Sequence, residues 1–281
     1  MDFRKVLNQS KDKAEVITAL RSIKFYPKTQ EVEGDKYAVV VIPTKDAEGK
    51  WAKTDLEIFK GLHMVFVVND KGTFNYAQAI NYGVAKALRH SPKWIIISND
   101  DVYGIDAISK LIGELRQSES YDTLFFPNST TYSNKVVIAK PRVQRIIRKL
   151  RGGWRAEYQG IMDKLGIDYE VLDLKNRGFV YANILYNIVI NIPNHQGCFI
   201  VLNTDYIRNE LEGRVFDETF YNGHEDTALA FKLAKAKCKN SNFNIGNEVG
   251  GSLGIGVDRI FWELANEAYF EEMLESGKNG N

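Results

Sequence analysis

Asn99, Asp100 and Asp101 follow directly on Trp94-Ile95-Ile96-Ile97-Ser98, so an apolar run that belongs in a core ends in one amide and two adjacent carboxylates. Adjacent carboxylates repel, and the pairing makes chemical sense where something positive sits over it: a hard cation or a helix N-terminus. The alternative is a solvated strand end. Side chains alternate along a strand, so Asn99 and Asp101 share one face and Asp100 takes the other. The strand must therefore stop here if all three are to meet one ligand. Oxygen donors of this kind suit Mg2+ or Mn2+, which takes one or two carboxylates and completes its shell with substrate phosphate. A second acid pair, Glu225-Asp226, opens a helical run over residues 227–237, where the dipole and capping favour acids. A carboxylate there stays ionised, as a general base must. Asn69-Asp70, ahead of Lys71-Gly72, reads as a turn or as a group facing a nucleobase edge. His195, beside Gln196-Gly197, reads as a loop residue.

The elements that must hold these groups are legible in the apolar pattern. YAVVVIP (37–43), HMVFVVND (63–70), WIIISNDD (94–101) and DTLFFP (122–127) contain short continuous apolar runs, the mark of strands buried on both faces. Between them, NYAQAINYGVAKALRH (75–90) and DAISKLIGELRQS (106–118) place apolar residues at helical spacing. This alternation predicts parallel β/α units in a sheet covered on both faces. Ligands of such sheets sit beyond the carboxyl ends of the strands. Thr44-Lys45-Asp46, Asn69-Asp70 and Asn99-Asp100-Asp101 all fall there. KAEVITALRSIK (13–24) predicts an amphipathic helix, residues 28–36 a loop, and Val102-Tyr103-Gly104 a turn. In the second half, 141–166 predicts basic helix, 180–193 one or two strands, 197–211 a strand entering a helix, and 227–237 and 260–274 helices.

Composition narrows the function classes. A net charge of +1 gives no global field for nucleic acid, and no nucleic-acid-binding module is recognisable. Cys198 and Cys238 show neither CxxC spacing nor a His/Cys cluster, so a disulfide framework or zinc finger is not expected. The first residues, MDFRKVLNQSKDKAEV, have no apolar core of a signal peptide, and residues 179–202 are broken by asparagines and a proline. A cytoplasmic location is expected. KPRVQRIIRKLRGGWR (140–155) carries seven basic residues and no acid, with Val143, Ile146, Ile147 and Leu150 as an apolar stripe beneath them. Such a helix is a solvated face, a phosphate grip or a peripheral contact with an anionic membrane.

Taken in order, these stretches resemble a family 2-type, GT-A-fold glycosyltransferase, which uses a nucleotide-sugar donor. The likeness runs from about Tyr37 to Met273. It rests on a first strand ending "VVVIP", a second ending in Asn69-Asp70, the helix "FNYAQAINYGVAKA" with its closing Asn-x-Gly, and "IIISNDDV" in place of the family's DXD motif. "GCFIVLNTDYI", "FDETFYNGHEDTALAFKL" and "NEAYFEEML" resemble the acceptor-site glycine segment, the ED block and the terminal helix. The resemblance implies an α/β, Rossmann-like, mostly parallel sheet flanked by helices, with an acceptor-side β/α extension. Within a single domain it implies an N-terminal helical extension (1–36), a nucleotide-sugar-binding half (37–130) and an acceptor-binding and catalytic half (131–281).

It further implies transfer of a sugar from a UDP-, GDP- or dTDP-linked donor to a hydroxyl acceptor, glycan or lipid-linked, with inversion. Asp226 of the Glu225-Asp226 pair would be the catalytic base. Asp101 would be the main ligand of Mn2+ or Mg2+, with Asn99 and Glu248 beside it. Pro43, Thr44, Asn69, Asp70, Asn75, Asn81, Asn99, Asp100 and Gly197 would line the donor. Two departures stand out: Asn99 occupies the first DXD position, and in "NEVGGSLG" Glu248 stands about where the family has a metal-associated His. The competing readings are a metal-dependent sugar nucleotidyltransferase and a non-catalytic nucleotide-sugar-binding protein of the same fold. The first normally needs a Gly-rich, basic loop after the first strand, and "PTKDAEGKW" is a poor version of it.

Overall fold

The computed structural model describes residues 1–127, 135–173, 184–193, 197–247 and 257–278. The chain begins with helices α1 (Phe3–Gln9) and α2 (Lys13–Arg21), N-capped by the Asp2 and Asp12 side chains. There follow β1 (Phe25–Val32), β2 (Asp35–Thr44), α3 (Lys50–Ile58), β3 (Leu62–Gly72), α4 (Tyr76–Ala87), β4 (Trp94–Ser98), β5 (Val102–Gly104), α5 (Ile108–Arg116) and β6 (Thr123–Phe125). The second half runs β7 (Lys135–Pro141), α6 (Val143–Arg151), α7 (Gly153–Leu165), β8 (Glu170–Asp173), β9 (Tyr186–Pro193), β10 (Phe199–Asn203) and α8 (Thr204–Asn209). It closes with α9 (Glu225–Leu233), β11 (Cys238–Asn240), β12 (Ile245–Asn247) and α10 (Val257–Lys278).

The main sheet has seven strands in the order β1-β3-β2-β4-β10-β6-β11. β3, β2 and β4 pair in parallel, as their continuous apolar runs require. β10 enters antiparallel between β4 and β6, and β11 returns parallel to β6. Five strands thus point one way and two, β1 and β10, the other. Alternate side chains of the strands serve two cores: Val39, Val41, Ile95 and Ile97 pack against α4, and Val40, Ile42, Trp94 and Ile96 pack with Ala52, Leu111 and Leu115 of α3 and α5. A small antiparallel sheet, β8-β7-β9, and a helical layer of α1, α2, α7 and α10 complete the fold among the described residues.

Two segments differ from expectation. Residues 28–32 of the expected loop belong to β1, which pairs antiparallel with β3. As a polar edge strand with Pro27 at a register break, β1 lacks the apolar run that marks a buried strand. Val102-Tyr103-Gly104 is not a turn; it is β5, paired with β12 from far along the chain.

Gly83 sets the distance between α4 and the sheet. A Cβ there would overlap the side chains of Val41 and Val67. Gly83→Ala should therefore destabilise the fold by about 1–3 kcal/mol, because overpacking outweighs the helix-propensity gain. Gly113→Ala, on the exposed side of α5 with nothing near its would-be Cβ, should instead gain about 0.5–1 kcal/mol. Urea unfolding of both variants checks the pair of signs.

Candidate functional site

β4 ends at Ser98, and residues 100–101 form a turn. The strand thus stops where the three polar groups need it to. Asp100 and Asp101 are both buried. Asp100 Oδ2 accepts a 2.7 Å hydrogen bond from Thr44 Oγ1, at the carboxyl end of the neighbouring parallel strand β2. Pro43 precedes Thr44 at the same strand end. Burial raises the Asp100 carboxyl, and the nearby charge of Asp101 adds to it.

A third acid belongs to this group and was not singled out by the sequence. Asp55 on α3 is fully buried, and neither of its carboxylate oxygens has a hydrogen-bond partner. Burial first, then Asp100 and Asp101, push it up to about 9. The signal was there to be read: Asp55 stands at helical spacing from Ala52 and Phe59, on the face of α3 that enters the core.

The second acid pair approaches this set across Tyr76 and Cys198. Tyr76, at the start of α4, is buried among the charges of Glu225, Asp226 and Asp101, next to Cys198. Its hydroxyl donates to Gly197 O at 2.6 Å. Cys198 feels Asp101 and Asp226, hydrogen-bonds the Asn247 side chain, and accepts from Asn99 N through its carbonyl at 2.8 Å. Its thiol is pushed up to about 12, chiefly by burial, and is no nucleophile at neutral pH. Asn99 Oδ1 and Asn247 Oδ1 are buried without hydrogen-bond partners.

Asp226 accepts from Thr227 N at 2.7 Å and from Gly197 N at 3.2 Å, so two main-chain N–H groups aim it. A Cβ on Gly197 would stand 3.1 Å from Asp226 Oδ2, so glycine leaves that carboxylate its place. Glu225 turns inward; burial and the charge of Asp226 push it up to about 8. The inner acid of the pair is thereby held toward its protonated form.

The asparagines expected to line the donor have other work. Asn75 caps α4 through Gln78 N and donates to Phe220 O at 3.0 Å. Asn81 donates to Phe216 O at 2.8 Å and accepts from Phe216 N at 3.0 Å. Asn222 accepts from Tyr76 N and donates to Phe74 O, and Asn266 on α10 holds both main-chain groups of Tyr221 at 2.8 Å. These amides clamp residues 216–222, the loop that delivers Glu225 and Asp226. Asn75 and Asn81 are thus engaged within the protein, on partners about 140 positions away that the sequence does not reveal. Asn69 and Asp70 lie on β3. Glu248 and His195 lie outside the described residues.

The basic helix inverts the expected arrangement. Arg148 points inward, paired through both guanidinium arms with buried Glu170, stacked on Tyr158 and bonded to Tyr186 Oη. Leu150 is 81% exposed and Ile146 59%, with Val143 also exposed. Arg145 and Lys149 both reach Asp163. Arg142 and Arg151 are exposed, with no ion pair among the described residues.

No protein-family model and no curated protein sequence matches the chain. Among solved structures it is similar to A197 from STIV (11% identity, TM-score 0.38, 73% of this chain and 81% of that one). It is also similar to mannose-1-phosphate geranyltransferase from Thermus thermophilus (12%, TM-score 0.31, 80% and 66%). A putative glucose-1-phosphate thymidylyltransferase from Bacillus anthracis matches at 9% identity and TM-score 0.33, over 82% and 95% of the two chains. Likeness this distant leaves function to the chemistry of the site.

Proposed function

We propose that the chain is a divalent-metal-dependent, inverting glycosyltransferase acting on a nucleotide-sugar donor and a hydroxyl acceptor. The observation that carries the reading is the meeting of two differently tuned acid sites around Tyr76 and Cys198, at the carboxyl end of the parallel strands. One is a buried, charge-crowded set, Asp55, Asp100 and Asp101. The other contains a carboxylate aimed by main-chain donors, Asp226.

The buried set suits a cation carried in with a diphosphate. Orphaned carboxylate oxygens on Asp55 lack positive charge, yet no three ligand atoms of Asp55, Asp100 and Asp101 lie within 4.8 Å of one another. Mg2+ or Mn2+ held by one or two carboxylates needs phosphate oxygens to fill its shell. Asp101, with Asp100 beside it, would hold the ion, which when bound neutralises the leaving diphosphate. Asp226 accepts the proton of the acceptor hydroxyl as its oxygen attacks the anomeric carbon. The sugar–phosphate bond breaks on the opposite face, and the diphosphate leaves with the bonding electrons.

A thermal-shift panel of nucleotides and nucleotide sugars, with and without Mn2+, tests donor binding, since a native-state ligand raises apparent stability. Release of free nucleoside diphosphate from the stabilising donor is then the expected activity. Pyrophosphate released from a nucleoside triphosphate plus a sugar phosphate would instead establish a nucleotidyltransferase.

The exposed ridge Val143-Ile146-Leu150, beside the unpaired cations Arg142 and Arg151, supports an acceptor met at an anionic lipid surface. A two-fold pairing of chains through the same face would set its cations against themselves. Co-sedimentation with vesicles containing anionic lipid, lost with salt and in Leu150→Glu, is expected; equal recovery of both proteins in the supernatant would remove the lipid reading.

A further inference from the structure

At the opposite end of the sheet from the acid sites, two of the four histidines converge on one carboxylate. His63 opens β3 and is fully buried; Glu31 belongs to the adjacent edge strand β1; His90 ends the turn that follows α4. Glu31 Oε2 lies 3.2 Å from His63 Nε2 and 2.9 Å from His90 Nε2, and the imidazole centroids are 4.3 Å apart. All three donor atoms fall within 4.8 Å of one another, the one such trio of His, Cys, Asp or Glu among the described residues.

We propose that Glu31, His63 and His90 form a binding site for a zinc-class transition-metal ion, separate from the acid pocket. Zinc bonds of about 2.0–2.2 Å to nitrogen and oxygen set tetrahedral ligand atoms roughly 3.3 Å apart, close to the two Glu31–histidine separations. The donor set of two imidazoles and one carboxylate suits zinc, copper or nickel, whereas Mg2+ and Mn2+ prefer oxygen. A ligating histidine characteristically gives its other ring N–H to a carboxylate. His63 Nδ1 is buried without a hydrogen-bond partner, and Glu33 Oε2, itself held by Lys36, stands 3.5 Å from it. Three protein ligands leave a fourth position for water or an exogenous group. The ion would join β1, β3 and the end of α4, securing a polar edge strand that has little apolar surface to hold it.

Titration of the full-length, chelator-stripped protein with Zn2+ against a chromophoric chelator, in excess Mg2+, tests the site. One ion per chain is expected, with a rise in thermal midpoint; Co2+ should give the intense visible bands of a tetrahedral site. His90→Asn and Glu31→Gln alter positions outside the buried core and should retain the fold by circular dichroism while weakening binding more than about 100-fold; Glu33→Gln should weaken it by about tenfold. Asp101→Ala should leave it unchanged. Absence of zinc binding in the unaltered chain overturns the proposal. So does binding that survives both ligand variants, because the histidines would then only be sharing hydrogen bonds with Glu31.

Discussion

Asp226→Asn is expected to lower the transfer rate by about 10²–10⁴-fold, the range a general base contributes, with donor affinity nearly unchanged. The amide keeps the acceptor for Thr227 N but offers Gly197 N a donor in place of an oxygen, so a local cost of about 1 kcal/mol accompanies the loss of the base. Glu225→Gln supplies the contrast. Glu225 is held up to about 8, so at pH 7 a neutral amide resembles its dominant form, and most of the rate should survive. Single-turnover transfer and donor titration on both variants separate the two roles. A near-normal rate in Asp226→Asn would show that another group takes the proton.

The second large effect is on stability. Asp55 is raised from 3.8 to about 9 and Glu225 from 4.5 to about 8. For a carboxyl held above its unfolded value, the folded state binds more protons. That stability is complete below about pH 4 and drains away as pH rises through 8 to 9. Metal-free protein should therefore lose thermal midpoint steadily from pH 6 to 9. Asp55→Asn should flatten this decline and be the more stable protein at pH 8.5, by up to a few kcal/mol. Mn2+ or Mg2+ with nucleoside diphosphate should reverse the decline in the unaltered chain, because a cation favours ionised acids, and should fail to do so in Asp101→Ala. A flat pH profile in the metal-free protein would mean that the acids of this pocket are solvated.

What the sequence disclosed follows from how local each signal is. β2, β3 and β4 were readable because a strand buried on both faces must be apolar throughout, and their polar ends marked the site. β10 was readable for the same reason, and α8 and α9 as the helical runs that follow it in the sequence. β1 escaped because a polar edge strand carries no such run, and β5 because its partner β12 lies about 140 positions away. The acid pairs could be located by type and spacing, but not their tuning. That Glu225 is buried and that Asp226 meets Gly197 N depend on elements distant in the chain. Asn75 and Asn81 carry an ambiguous signal, since a side-chain amide serves a ligand and a carbonyl equally well. In α6 the spacing predicted an apolar stripe beneath the basic residues; a guanidinium matched to Glu170, beyond α7, faces inward in its place.

The loop that leads to Asp226 is gripped by side-chain amides on main-chain groups, and amides carry no charge. Ionic strength screens charges and leaves such contacts almost untouched. The position of Asp226 should therefore be the same in dilute buffer and in molar salt. Any fall of turnover with added salt then measures attraction between the protein and the phosphates of its donor, or a charged acceptor surface, rather than a loosening of the catalytic apparatus.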